Sequence, residues 1–226
     1  MSCALSCAHC GGPVGYGDPT CRWCSSPLSW PSVPRLQRGA ERLVVDLRHD
    51  PLPGPVSPLS ATACEAGLEV TVGAKKMVSG HTDHGLSEAA VSLTGLALDR
   101  CGGIGVLARR STTGTVACAY ALTVRPGRRT WTISALLWGS QGSTRGKTEV
   151  RVLRAPTFHP AVAGVGAWNV VELRTADHLL EVRVNDVVVE TLVDGVFGFG
   201  SPGWRVTASD GEARVQLHRF TVHDLA

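Results

Sequence analysis

The sequence predicts an all-β protein, an antiparallel β-sandwich behind a small cysteine-rich segment. From residue 66 onward the chain is a succession of short runs rich in Val, Leu and Thr, bounded by Gly, Pro, Asn or Asp. No stretch of helix length keeps a 3.6-residue apolar period. Five of the eight cysteines lie before residue 25. The chain has 226 residues, 43% hydrophobic and 18% charged, enough to bury a core and too apolar for a disordered chain.

In chain order, the expected units are a metal knuckle (1–28), a linker (29–40) and the sandwich (41–226). Residues 25–40 hold three prolines and no periodicity. Residues 42–48 read as a short strand. The proline-rich stretch 49–60 excludes helix and central strand. Strands are then expected at 66–74, 87–98, 103–111, 116–124, 129–138, 149–154, 169–175, 179–185, 187–193, 204–209 and 213–225. In the 179–185 run, Leu180, Val182 and Val184 share one face and Glu181, Arg183 and Asn185 the other. Asn185-Asp186 reads as a hairpin turn. So many strands without crossover helices require antiparallel layers.

No apolar run reaches the length of a membrane helix, and Met1-Ser2-Cys3 is not followed by a basic and then an apolar stretch, so a cytoplasmic protein is expected. The net charge of +3 is unevenly distributed. Residues 100–155 carry a net +9, against −2 before them and −4 after them.

Cys7-Ala-His-Cys10 and Cys21-Arg-Trp-Cys24 form a paired CxxC pattern. Two thiolates three positions apart turn to one ion, and two such knuckles supply the four soft ligands of one closed, structural Zn²⁺ site. Two disulfides are the alternative, and need an oxidising compartment. Cys3 is a spare thiol able to exchange with Cys7. Cys64, Cys101 and Cys118 read as buried, reduced thiols. His81-Thr82-Asp83-His84 reads as a solvated turn rather than half a metal site.

Other chemical patterns fail on spacing. The Gly142–Thr148 stretch has three residues between its glycines where a P-loop has four, and it leads into a strand. Gly103-Ile104-Gly105 runs into a strand and lacks the helix N-terminus of a dinucleotide site. Glycoside hydrolysis calls for two carboxylates on one face. Glu172 has Arg174 two positions on, and Glu181 and Asp186 lie on opposite faces, so no acid pair is expected and no catalytic residue is assigned.

Residues 5–28, with CxxCG, a Pro/Gly-containing turn and CxxC, resemble the short zinc ribbons at the ends of many bacterial proteins. Ser25-Ser26 stands where glycine is common. Residues 40–226 resemble the concanavalin A-like (laminin G-like) jelly rolls. The likeness lies in a Gly-rich strand ending in Arg, Trp168-Asn169 opening a strand, Val-Asn-Asp at a hairpin, a glycine-rich bend and a long final strand. The nearest branch is the bacterial 3-keto-disaccharide hydrolase-like one. The resemblance implies two packed sheets, ligands on one sheet or its rim, and a core role for Trp168. No calcium loop is evident.

Three functions fit. The first is a non-enzymatic module, with the ribbon docking and the sandwich binding a protein partner or a second copy. The second is a carbohydrate-binding or degenerate hydrolase-like domain. Trp204, after a glycine-rich bend, is its expected exposed aromatic, and Arg109, Arg128, Arg145 and Lys147 are its candidate polar contacts, suited to acidic glycans. Trp131 and Trp138, seven apart, face opposite sides. The third, nucleic-acid binding through the ribbon and the arginines of 109–154, is disfavoured unless those charges form one patch.

Overall fold

The computed structural model describes residues 5–7, 9–14, 20–28, 36–53, 60–114, 116–139 and 149–226. Two short strands, β1 (Leu5–Ser6) and β2 (Pro13–Val14), close the first cysteine loop. The sandwich follows as β3 (Arg38–Asp46), β4 (Ser60–Cys64), β5 (Gly67–Val72), β6 (Met77–His81), β7 (Ala89–Ala97) and β8 (Gly102–Thr113). Next come β9 (Val116–Arg125), a 3-10 turn at Pro126–Arg128, β10 (Thr130–Gly139), β11 (Glu149–Phe158) and β12 (Trp168–Ala176). The last strands are β13 (Leu179–Val184), β14 (Val187–Val193), β15 (Ser201–Ala208) and β16 (Ala213–Leu225). Among the described residues no helix is long and apolar enough to cross a membrane.

The expected strands are present, with shifted ends. β4 and β6 are additional, and β3 begins at Arg38, inside the interval expected to be linker. That early start comes from pairing with the far end of the chain, Arg38 opposite Leu225, which local composition does not encode.

The strands form two antiparallel sheets. One runs β11-β10-β9-β8-β15-β6. The other runs β14-β13-β12-β7-β16-β5-β4, with β3 paired to the outer half of β16. Between them lies one apolar core that includes Leu93, Ile104, Leu122, Trp131, Trp204 and Phe220. The β13–β14 turn is as predicted: Asn185 and Asp186 both have positive φ (50° and 63°), the form that a two-residue turn between right-twisted strands requires.

The basic centre and acidic end of the chain meet along one side of the sandwich. β11 edges the six-stranded sheet and β14 the other. Arg151 pairs with Asp194, and Arg154 with Glu190 at 2.6 Å. Part of the net +9 is therefore neutralised within the fold.

Candidate functional site

The four knuckle cysteines converge, with all sulfurs within 4.8 Å of one another. Cys7 and Cys24 are 3.8 Å apart and Cys10 and Cys21 3.7 Å. A tetrahedral ion with metal–sulfur bonds near 2.3 Å demands sulfur–sulfur edges of about 3.8 Å. The spacing therefore fits a bound ion, and all four thiols are free of disulfides. Cys3 lies outside the described residues. Among the described residues His81 and His84 belong to no such group.

The two knuckles repeat one backbone device. The Gly11 N–H donates to the Cys7 carbonyl and the Ser25 N–H to the Cys21 carbonyl, at 2.8 and 2.7 Å. Gly11 and Ser25 occupy the same left-handed region, φ 69° and 58°. Serine thus holds the glycine geometry, at a strain of about 1 kcal/mol. Gly12 is needed for space, since a Cβ there meets the Trp23 ring at 2.6 Å. The Ser26 hydroxyl and amide draw the Cys24 thiol down to about 6. Cys10 accepts from the Gly12 N–H, which favours its thiolate, yet the crowded sulfurs push it up to about 12. Ser25→Gly is expected to tighten metal binding about two- to fivefold, because strain relief exceeds the added chain entropy; a competitive chelator titration reads it.

The second candidate lies on the outward face of the six-stranded sheet. Ile104, Val106 and Ala108 of β8 point into the core, so Gly103, Gly105 and Leu107 point outward. Leu107, Ala119, Ala121 and Leu136 form a small apolar floor there, with Trp138 packed against it. A bulge breaks the β8–β9 register between Ala108 and Ser111, with Arg109 in the left-handed region. It sends two neighbouring arginines to different tasks. Arg109 is buried and donates to the carbonyls of Ser87, Asp177 and Phe197 at 2.9, 2.6 and 2.8 Å. Arg110 lies over the Trp138 ring, 5.8 Å from its centroid.

Beside Arg110 is a cleft of about 320 Å³ whose lining includes His81, Asp83, Ser111, Thr112 and Phe199. Phe199 is 61% exposed, with its ring against Gly85, where a Cβ would lie 2.4 Å from it. Burial, then the Arg110 charge, draw the His81 imidazole below its ordinary value. The site thus offers an exposed ring, an imidazole and a carboxylate, with a second ring partly covered by a guanidinium beside it.

Several expected site residues stand elsewhere. Trp204 is 0% exposed and donates its indole N–H to the Pro53 carbonyl at 3.0 Å. It packs on Gly80, its cross-strand partner, and offers no stacking face. Arg109 is a structural anchor rather than a contact. Arg128 is exposed on the 3-10 turn, away from the cleft lining. Arg145 and Lys147, with the Gly142–Thr148 loop, lie outside the described residues. Trp168, expected in the core, is 41% exposed against His218, and its neighbour Asn169 is the buried one, bonded to the Ala163 N–H at 2.9 Å. The β12 alternation puts Asn169, Val171 and Leu173 inward.

An acid pair does exist, across strands rather than along one. On the outward face of the eight-stranded sheet Glu172 sits opposite Arg183 and Glu181 opposite Arg174. Arg38 holds Glu172 with two hydrogen bonds, 2.9 and 2.7 Å, and Arg174 adds one at 2.6 Å. Arg183 donates to Glu181 at 3.1 Å. Arg174 also donates to the Leu36 carbonyl, so the chain entering β3 crosses this face. Burial pushes the Glu172 carboxyl up, and the hydrogen bonds from Arg38 and Arg174 more than offset it, leaving it below its ordinary range.

No family model and no curated protein matches the sequence. Solved structures match its fold. A Bacillus subtilis protein of unknown function with a galectin-like fold is 13% identical, TM-score 0.60, over 84% of this chain and 99% of its own. The carbohydrate-binding module CBM66 from Bacillus subtilis is 13% identical, TM-score 0.55, over 76% and 97%. A Bacillus licheniformis β-glucanase is 6% identical, TM-score 0.54, over 83% and 100%. The chain is therefore a galectin-like, concanavalin-like β-sandwich with an N-terminal cysteine cluster that can hold a metal ion.

Proposed function

We propose that this protein is a non-catalytic carbohydrate-binding module whose N-terminal knuckle carries one structural zinc ion. The observation that carries the sugar reading is the cleft lined by Phe199, His81, Asp83 and Arg110 at the end of the six-stranded sheet, with the Trp138 ring beside it under Arg110. Its rings suit the apolar faces of pyranose rings, and its imidazole, guanidinium and carboxylate suit hydroxyls. Similarity of fold to a carbohydrate-binding module and a β-glucanase supports the same reading at the level of architecture. A binding rather than hydrolytic role is favoured because Glu172 and Glu181 are clamped by arginines beneath the crossing chain, where no saccharide reaches. Four thiolates in a tetrahedral set select zinc over harder ions and leave no position for substrate.

Binding to an oligosaccharide panel tests this. Phe199→Ala is expected to weaken the best ligand about tenfold with an unchanged melting temperature, since the ring is exposed and carries little of the core. Equal binding by Phe199→Ala and the parent protein overturns the assigned site.

A second reading, docking to a protein, is favoured by the β11 edge, where Val150, Val152 and Phe158 are all exposed. A solution mass above that of one chain, lost in Val152→Lys, would support it.

A further inference from the structure

The six strands of the cleft-bearing sheet contain a single acidic residue, Glu149. Its register partner is Leu137, which packs against the core, so Glu149 does not belong to the outward face. The same strands hold Arg109, Arg110, Arg125, Arg151, Arg154 and Arg205. Arg109 is committed to carbonyls, and Arg151 and Arg154 to acids of the other sheet. Arg110, Arg125 and Arg205 are different. Among the described residues they are the half-buried arginines with neither a carboxylate nor a carbonyl partner, and Arg110 has only the Trp138 ring. All three belong to the outward face.

Arg205 is the most informative of them. Its neighbours Trp204 and Val206 point into the core, so it points out. It pairs with Gly105, and its Cγ lies 3.0 Å from where a Cβ of that glycine would be. The guanidinium stem therefore runs over the bare backbone of Gly105. Its Nε is buried and has no hydrogen-bond partner. An arginine donor in that state costs free energy unless a ligand meets it. Burial, then the like charge of Arg125, draw Arg205 down to about 10. Arg125 stands one residue beyond Val124 on β9, on the other side of β8, and no carboxylate separates the two. Two half-buried arginines on the strands flanking β8, both on the outward face and both without a carboxylate partner among the described residues, form a site for an anion.

We infer that Arg205 and Arg125, across the Gly103–Gly105 strip, bind the anionic group of an acidic saccharide, a uronate carboxylate or a sulfate ester. This rests on the carbohydrate reading of the same face. The anion would take the two terminal nitrogens of Arg205 in a fork, with Arg125 closing the other side. The adjoining floor and the Trp138–Arg110 pair would receive the neutral rings next to it.

Titration of the full zinc-loaded chain at low salt tests this with four probes: an oligogalacturonate, a carrageenan oligosaccharide, a neutral gluco-oligosaccharide of equal length and a single-stranded DNA oligonucleotide. One of the two acidic sugars is expected to bind at least about tenfold tighter than the neutral one, with the preference shrinking as salt rises. Which acidic sugar binds distinguishes carboxylate from sulfate. Arg205→Gln and Arg125→Gln should each bring the acidic affinity down to that of the neutral sugar. Should Arg205→Gln lower the melting temperature, Arg125→Gln alone decides. Neutral and acidic sugars binding equally would overturn the anion subsite and leave the carbohydrate reading standing. Binding of no sugar would overturn both. Tighter binding of the oligonucleotide with the same arginine dependence would overturn the saccharide in favour of nucleic acid.

Discussion

Removing the Glu172 carboxylate, as in Glu172→Ala, is expected to destabilise the fold by roughly 3–5 kcal/mol, the range for breaking a buried ion pair. Glu172 is 1% exposed on its side chain and accepts from both Arg38 and Arg174. Its loss leaves Arg174, which is nearly as buried, with the Leu36 carbonyl and with Glu181 at 3.6 Å as its one remaining carboxylate. The uncompensated cation, rather than the lost bond, dominates the effect. Replacing Glu172 and Arg174 together by leucine should therefore destabilise less than Glu172→Ala alone. Denaturant midpoints of the three proteins check this.

The pH dependence has a definite sign. The folded-state pKa of Glu172 is depressed, so the unfolded chain binds its proton first as pH falls. Its contribution is fully present above the ordinary glutamate range and is lost as pH falls through the folded value. The stability gap between parent and Glu172→Ala should be constant at neutral pH and narrow below about pH 4. A gap independent of pH down to pH 2 would mean that the carboxylate charge is not what Arg38 and Arg174 hold.

Metal removal is expected to have the largest local effect. Among its described residues the knuckle has two two-residue strands, with Cys7 and Cys21 as its buried apolar side chains. Ion binding to such a segment is its folding free energy, about 10–16 kcal/mol for structural zinc at neutral pH. A strong chelator, or Cys10→Ser, should unfold residues 5–28 and make them protease-sensitive. The sandwich transition should stay where it is, since its core is built from β3–β16. One zinc per chain in protein purified without chelator is the companion measurement. Absence of metal with no alkylatable thiol at Cys7, Cys10, Cys21 and Cys24 would show disulfides instead and refute the zinc assignment.

The cysteine cluster was legible because its chemistry is local: two residues between thiols set the bite, and a left-handed residue after each pair completes it. The serine at that point departs from glycine in composition and not in backbone conformation. The long strands were legible for a similar reason, since alternation along one strand reports which face is buried. β4 and β6 were not, because five-residue strands near an edge leave little periodicity to read. The site residues fared worse. Arg109 and Arg110 are identical in the sequence, and only the bulge between them turns one into an anchor and the other outward. Trp204 follows a glycine-rich bend, yet Gly80 on β6 makes room for its ring in the core.

By itself the sequence determined the all-β class, the sandwich, the Asn185-Asp186 turn and the four cysteines that converge. The strand alternation, the turn and each CxxC knuckle depend on residues within a few positions of one another, where local backbone geometry decides the outcome. Tertiary structure decided what depends on register and on which sheet covers which. It brought Glu172 and Glu181 together across β12 and β13, and spent Arg151 and Arg154 on acids some forty residues away. It also left Arg110, Arg125 and Arg205 on one face without a carboxylate partner among the described residues. Whether a charge is neutralised or presented is set by its cross-strand and cross-sheet neighbours, and those are fixed only when the layers close.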